Sequence, residues 1–137
     1  MVLVLDANEY IFAFGFQRDP NCERLIHVLR DKPPALKIRV VRLIVDEVRA
    51  NISTEAFKKF IAHLNKRTMI DEDFLIPFEL GAKYEAHGLK SADAFIAAYA
   101  EWAKADILVS ENRHFLTRQK NLPFKVRSAE QSLRLLK

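Results

Sequence analysis

The chain has 137 residues, of which 50% are hydrophobic and 29% charged, with 3 Gly, 5 Pro, the single cysteine Cys22 and a net charge of +4. That length suits about one domain, and the composition excludes a disordered chain and a disulfide scaffold. No apolar run is long enough to cross a bilayer, and residues 1–5 are too short and lack the positive flank of a secretion signal. A soluble, cytoplasmic protein is therefore expected, and a sequence pI near 9.3 favours a polyanionic partner such as nucleic acid.

In chain order, the apolar run Val2-Leu3-Val4-Leu5 predicts a buried strand that stops on Asp6. Residues 9–16 are aromatic-rich and helical in tendency, and Asp19-Pro20 starts a second helix through Arg30. After Pro33-Pro34, residues 37–41 predict a strand and residues 43–52 a helix. Ser53 or Thr54 caps the next helix, which carries Phe57, Phe60, Ile61 and Leu64 on one face and the solvated cations Lys58, Lys59, Lys66 and Arg67 mostly off it.

Residues 68–70 predict a short strand before the acidic Asp71-Glu72-Asp73. Pro77 opens a helix that runs to His87 and stops at Gly88. Ser91 is expected to cap a helix with the apolar stripe Phe95, Ile96, Tyr99, Trp102 and Ala103. Strands are expected over residues 107–110 and 125–127, with Ser128 capping a C-terminal helix. Alternating strands and helices without repeats or linkers predict one three-layer α/β domain over residues 1–137, with a mostly parallel sheet flanked by helices.

Several acids do not read as ordinary surface. Asp6 ends a buried strand, where open parallel sheets place their ligand sites, although an Asp there also suits the N-cap of the next helix. On the helix over residues 43–52, Leu43, Ile44 and Val48 form a stripe that Glu47 shares, whereas Asp46 has Arg42 four residues earlier as an expected partner. Asp93 lies in a first helical turn, where the macrodipole favours an acid. Glu111-Asn112-Arg113-His114-Phe115 follows the strand over residues 107–110 and brings more oxygen donors to the edge that carries Asp6, if the two strands are parallel. Carboxylates gathered at one edge repel unless a cation holds them, and Mg²⁺ or Mn²⁺ suits such oxygen ligands and phosphodiester chemistry.

Four fragments then carry a resemblance: Leu5-Asp6-Ala7-Asn8, Asp46-Glu47-Val48-Arg49-Ala50-Asn51, Gly88-Leu89-Lys90-Ser91-Ala92-Asp93-Ala94, and residues 105–115 from Ala105-Asp106 to His114-Phe115. In this order and spacing the chain resembles a PIN domain, the compact nuclease fold of many prokaryotic VapC-type toxins and of RNA-processing proteins. The resemblance implies a Mg²⁺- or Mn²⁺-dependent endoribonuclease that cuts single-stranded or loop RNA. Its catalytic positions fall on Asp6, Glu47, Asp93 and Asn112, with Asp6 and Asp93 as the main metal ligands. Ser110 stands where the family has Thr or Ser, and Ser110, Glu111 and Asn8 are accessory candidates.

The family's fourth acid is replaced by Asn112, which offers a carbonyl oxygen but no charge. Adjacent Glu111 is the natural substitute, while Asp106, at the start of its strand, is expected at the opposite sheet edge. Arg113 and Lys120 are the cations expected to meet RNA phosphates, and His114 directly follows the candidate site. The family implies a protein antitoxin as partner if the chain is a toxin, with a homodimer as a further expectation and no membrane association. The alternative is a catalytically weak RNA-binding or assembly module on the same fold. A phosphatase-like hydrolase fits less well, because Asp6-Ala7-Asn8 lacks a second acid two residues after Asp6. Cys22 reads as an ordinary helix residue, the four histidines lack metal-finger spacing, and neither a P-loop nor a dinucleotide fingerprint is present.

Overall fold

A computed structural model describes residues 1–31, 35–112, 115 and 121–136, without the side chains of residues 65–67. Five strands form one sheet in the order β3-β2-β1-β4-β5. They are β1 (Val2–Leu5), β2 (Lys37–Val41), β3 (Thr68–Asp71), β4 (Ile107–Val109) and β5 (Lys125–Arg127), and every neighbouring pair is parallel. The central strands are buried on both faces, which is why β1 and β4 read as unbroken apolar runs.

The described helices are α1 (Ala7–Phe14), α2 (Pro20–Arg30), α3 (Arg42–Asn51), α4 (Thr54–Arg67), α5 (Phe78–Ala86), α6 (Ser91–Trp102) and α7 (Ala129–Leu135). From β1 the chain steps outward to β2 and β3 and then returns across the sheet to β4. Right-handed crossovers in opposite directions place their helices on opposite faces. Accordingly α1 packs on α2, α3 and α4, with α7 against α2, while α5 and α6 pair with each other, giving three α/β layers. The strand order reverses between β1 and β4, and the carboxyl ends of those two strands form the switch-point crevice in which such sheets bind ligands.

Several helix boundaries follow local chemistry. Asp19 accepts from the Asn21 and Cys22 amides, Ser53 from Ala56, and Ser128 forms a reciprocal capping box with Gln131. At the end of α5 the chain turns through Gly88 at φ +98°, a left-handed conformation that suits glycine.

Other expectations need correction. The first helix starts at Ala7 rather than Glu9, because Asp6 caps it. Ser91 is the first residue of α6 and caps nothing; Lys90 occupies the cap position without a side-chain bond. On α3 the buried stripe is Ile44, Val45 and Val48, while Leu43 and Glu47 face outward, so Glu47 is not a core residue. Finally, Arg42 does not pair with Asp46. Its guanidinium donates to Glu72, with Nη2 2.9 Å from Oε1.

A candidate metal centre at the sheet switch point

Asp6 is placed by the sheet itself. Its amide donates to Val109 O at 2.9 Å, continuing the β1–β4 ladder by one residue. The pairing of Leu5 with Val109 therefore brings Asp6 beside Ser110. Ser110 Oγ donates to Asp6 Oδ2 at 3.0 Å, and the Ala7 amide donates to Asp6 Oδ1 at 2.8 Å. The cap and the strand-end acid are one residue in one conformation. Two sequence-level interpretations thus describe the same geometry.

Burial pushes the Asp6 carboxyl above its ordinary range, the bonds from Ala7 and Ser110 oppose this, and the Asp93 charge adds to it. Asp93 projects from the first turn of α6 and is half-buried. Glu47 stands on the exposed rim of α3, near enough for the charges of Asp6 and Asp93 to act on it. Its pKa is raised by partial desolvation first and then by the charges of Asp6 and Asp93. Among the described residues none of these three acids forms an ion pair. They are carboxylates from three elements whose charges are felt among themselves, with no ion pair to a described cation.

Asn112 belongs to this group. Its Nδ2 donates to Asp93 Oδ2 at 3.2 Å, and its amide donates to Ser110 Oγ at 3.0 Å. A carboxylate at this position would repel Asp93, whereas the amide bonds to it. Ser110 therefore relays contact between Asp6 and the Asn112 backbone, tying β1 and β4 together at the crevice.

The remaining candidates separate. Asn8 is exposed on the first turn of α1. Glu111 turns away toward α7, where its Oε2 accepts from the Ala129 amide at 3.0 Å. Asp106 lies at the far end of β4 and accepts from the Val2 amide at 2.7 Å, as expected for the opposite edge. Arg113, His114 and Lys120 lie outside the described residues.

Glu9 is the polar residue that sequence reasoning missed. It is completely buried on α1, and burial together with the neighbouring Glu111 carboxyl pushes its pKa up to about 10, with the Asp6 charge adding to the shift and the Cys22 thiol opposing it. The available signal was an acid embedded in the aromatic run Tyr10-Ile11-Phe12-Ala13-Phe14, three positions after Asp6.

By donor type the acids at the crevice suit a hard divalent cation, although among the described residues only Glu9, Cys22 and Glu111 bring three candidate ligand atoms within 4.8 Å of one another. The crevice acids supply oxygen donors only, they are coupled by mutual repulsion, and they stand at the sheet's ligand edge. By sequence the chain matches no family profile and no curated protein. In three dimensions it is similar to VapBC2 from Rickettsia felis bound to a DNA fragment from their promoter, with a TM-score of 0.66, 18% identity and coverage of 93% of this chain and 98% of that one. The chain has a PIN-type fold. FitAcB from Neisseria gonorrhoeae is similar as well, with a TM-score of 0.55, 16% identity and coverage of 95% and 99%. In this PIN-type frame, the four separated fragments singled out in the sequence include three of the elements that meet at one crevice, namely the ends of β1 and β4 and the first turn of α6, and the fourth, α3, borders it. No helix among the described residues is long and apolar enough to cross a membrane.

Proposed function

We propose that residues 1–137 act as a cytoplasmic, divalent-metal-dependent endoribonuclease. The observation that carries this reading is the convergence of Asp6, Glu47 and Asp93, unneutralised among the described side chains, at the β1/β4 switch point. Asp6 and Asp93 would be the main ligands of Mg²⁺ or Mn²⁺, with Glu47 at the rim and the Asn112 side chain as a neutral fourth member. When bound, such an ion supplies charge stabilisation at a phosphodiester and lowers the pKa of water.

The chain's own residues have separable tasks in this scheme. Ser110 fixes the Asp6 carboxylate by its hydrogen bond, and Asn112 fixes Asp93. Glu47, exposed and with a raised pKa, is suited to accept a proton at its carboxylate near the scissile phosphate. The net charge of +4 favours a polyanionic substrate, with Arg113 and Lys120 as phosphate contacts.

A protein antitoxin is the partner we infer, supported by the similarity to VapBC2 and FitAcB. Phe16, Phe74 and Phe78 are large apolar side chains left exposed, as a protein-binding surface requires. The test is cleavage of a panel of structured RNAs by purified protein with Mg²⁺, with Mn²⁺ and with chelator. Metal-dependent cleavage that Asp6→Asn abolishes supports the nuclease. RNA binding without cleavage under any metal condition favours the binding-module alternative, which the uncharged Asn112 motivates, and absence of both refutes the proposal.

A further inference from the structure

We propose that Glu9, Cys22 and Glu111 form a second cation site, built for a thiophilic divalent ion of the Zn²⁺ kind and separate from the sheet-edge acids. The three residues come from α1, α2 and the segment after β4, and one ligand atom from each lies within 4.8 Å of the other two. Cys22 Sγ is 3.7 Å from Glu9 Oε1. Both residues are fully buried.

The observation that points to a ligand is the second oxygen of Glu9. Among the described residues Oε2 is buried without a hydrogen-bond donor, and what it meets is the neighbouring Glu111 carboxyl group. Two abutting buried carboxyl groups need either a shared proton or a cation between them, and the Cys22 sulfur beside the pair supplies the third ligand that a cation would use. Glu111 is held for this purpose. Its Oε2 accepts from the Ala129 amide at the start of α7, the kind of outer bond that orients a metal-binding carboxylate, and Oε1 remains for a ligand.

The donor set selects the ion. A thiolate with two carboxylates suits Zn²⁺ far better than Mg²⁺, whereas the oxygen-only set of Asp6, Glu47 and Asp93 has the opposite preference. Binding would release the thiol proton, and any carboxyl proton, to solvent. Because the ligands belong to α1, α2 and the segment after β4, which is bonded to the start of α7, occupancy would pin these elements together. It would also fix Glu111 between Ser110 and Asn112. This inference does not depend on nuclease activity.

The test uses the intact chain stripped with chelator and reloaded with Zn²⁺, then with Co²⁺ as a spectroscopic probe. The expected result is Zn²⁺ retained through desalting, a higher melting temperature, and a thiolate-to-Co²⁺ charge-transfer band. Cys22→Ser should abolish the band, and the near-isosteric Glu9→Gln should weaken Co²⁺ binding by about 10-fold or more. Asp6→Asn should leave the band in place, which separates this site from the proposed nuclease centre. Absence of the band in the wild-type protein would overturn the proposal even if both variants failed to fold, as would a Glu9→Gln protein with unaltered Co²⁺ affinity.

Discussion

Asp71 ends the outer strand β3 and Glu72 and Asp73 follow it, while Asp6, Glu47 and Asp93 lie toward the sheet's centre, yet the two groups of acids live in opposite electrostatic settings. Asp71 receives Arg39 Nη2 at 2.8 Å, Arg39 Nε at 3.0 Å and the Tyr99 hydroxyl at 2.6 Å. Glu72 receives Arg42, and Asp73 accepts from the Leu43 amide at 2.8 Å, so it caps α3, whose own cap residue Val41 cannot. Every member of the outer group has its donor. Among the described residues the central group has no cation paired with it; the charge of Asp93 adds to the raised pKa of Asp6, and the charges of Asp6 and Asp93 add to that of Glu47. The outer acids arrive with their partners, whereas the central acids, on the function proposed above, take their counter-charge from a bound ion.

Substitutions can break this comparison at either group. The largest effect is expected from Asp6→Asn, which keeps a good helix cap but removes a ligand charge. RNA cleavage should fall by about 1000-fold, equivalent to ~4 kcal/mol in the barrier. Metal-free thermal stability should hold or rise, because one member of a repelling group is neutralised. A melt and a cleavage assay on the same preparation check both expectations.

Asp71→Asn should do the reverse. The Arg39 side chain, only 23% exposed and stacked over Trp102, would lose half of a bidentate ion pair. A stability loss of about 3 kcal/mol in urea unfolding is expected, at the low end for a buried pair, with cleavage per folded molecule unchanged. If Asp71→Asn removed activity from folded protein, the division between the two groups would fail.

Ser110→Ala sharpens the picture inside the central group. The hydroxyl holds Asp6 and receives the Asn112 amide but would touch no ion, so activity should drop by about 10-fold with a raised metal requirement. Equal activity at every Mg²⁺ concentration would show that Asp6 needs no such support.

The smallest effect concerns Glu101, a member of neither group, which accepts from Lys83 Nζ and Tyr84 OH. Burial pushes this carboxyl up, but those two bonds outweigh it and hold it below its ordinary value of 4.5. A depressed carboxyl stabilises the fold above the unfolded value and ceases to do so as pH falls below it. Glu101→Gln should therefore lower stability at neutral pH by less than about 1 kcal/mol and flatten the acid limb of the stability curve below about pH 4.5, where the wild type loses the same contribution.

Much of this molecule was legible because its signals are local. The apolar runs of β1 and β4, the Asp19-Pro20 start of α2, the Ser53 and Ser128 caps and the Gly88 stop each act within a few residues. What sequence concealed depends on distance. Arg42 chose Glu72, thirty positions away, over Asp46 on its own helix. On α3 the adjacent apolar residues Leu43, Ile44 and Val45 left the stripe's register ambiguous, and packing against α1 turned Val45 inward and Glu47 toward the rim. Glu9 was hidden by its aromatic neighbours, and its proximity to Cys22 and Glu111 exists only once α1, α2 and the end of β4 have come together. The crevice was readable in outline because Asp6 and Ser110 each directly follow a strand, and the parallel pairing of β1 with β4 then sets them side by side.

The central claim is that Asp6 and Asp93 hold a divalent ion whereas Asp71 does not. Calorimetric titration of Mg²⁺ into wild-type, Asp6→Asn and Asp71→Asn proteins tests it without requiring any RNA. The account predicts binding by wild type and by folded Asp71→Asn with similar affinity, and loss of binding in Asp6→Asn. Undiminished Mg²⁺ affinity in Asp6→Asn, or its disappearance in folded Asp71→Asn, would contradict the account.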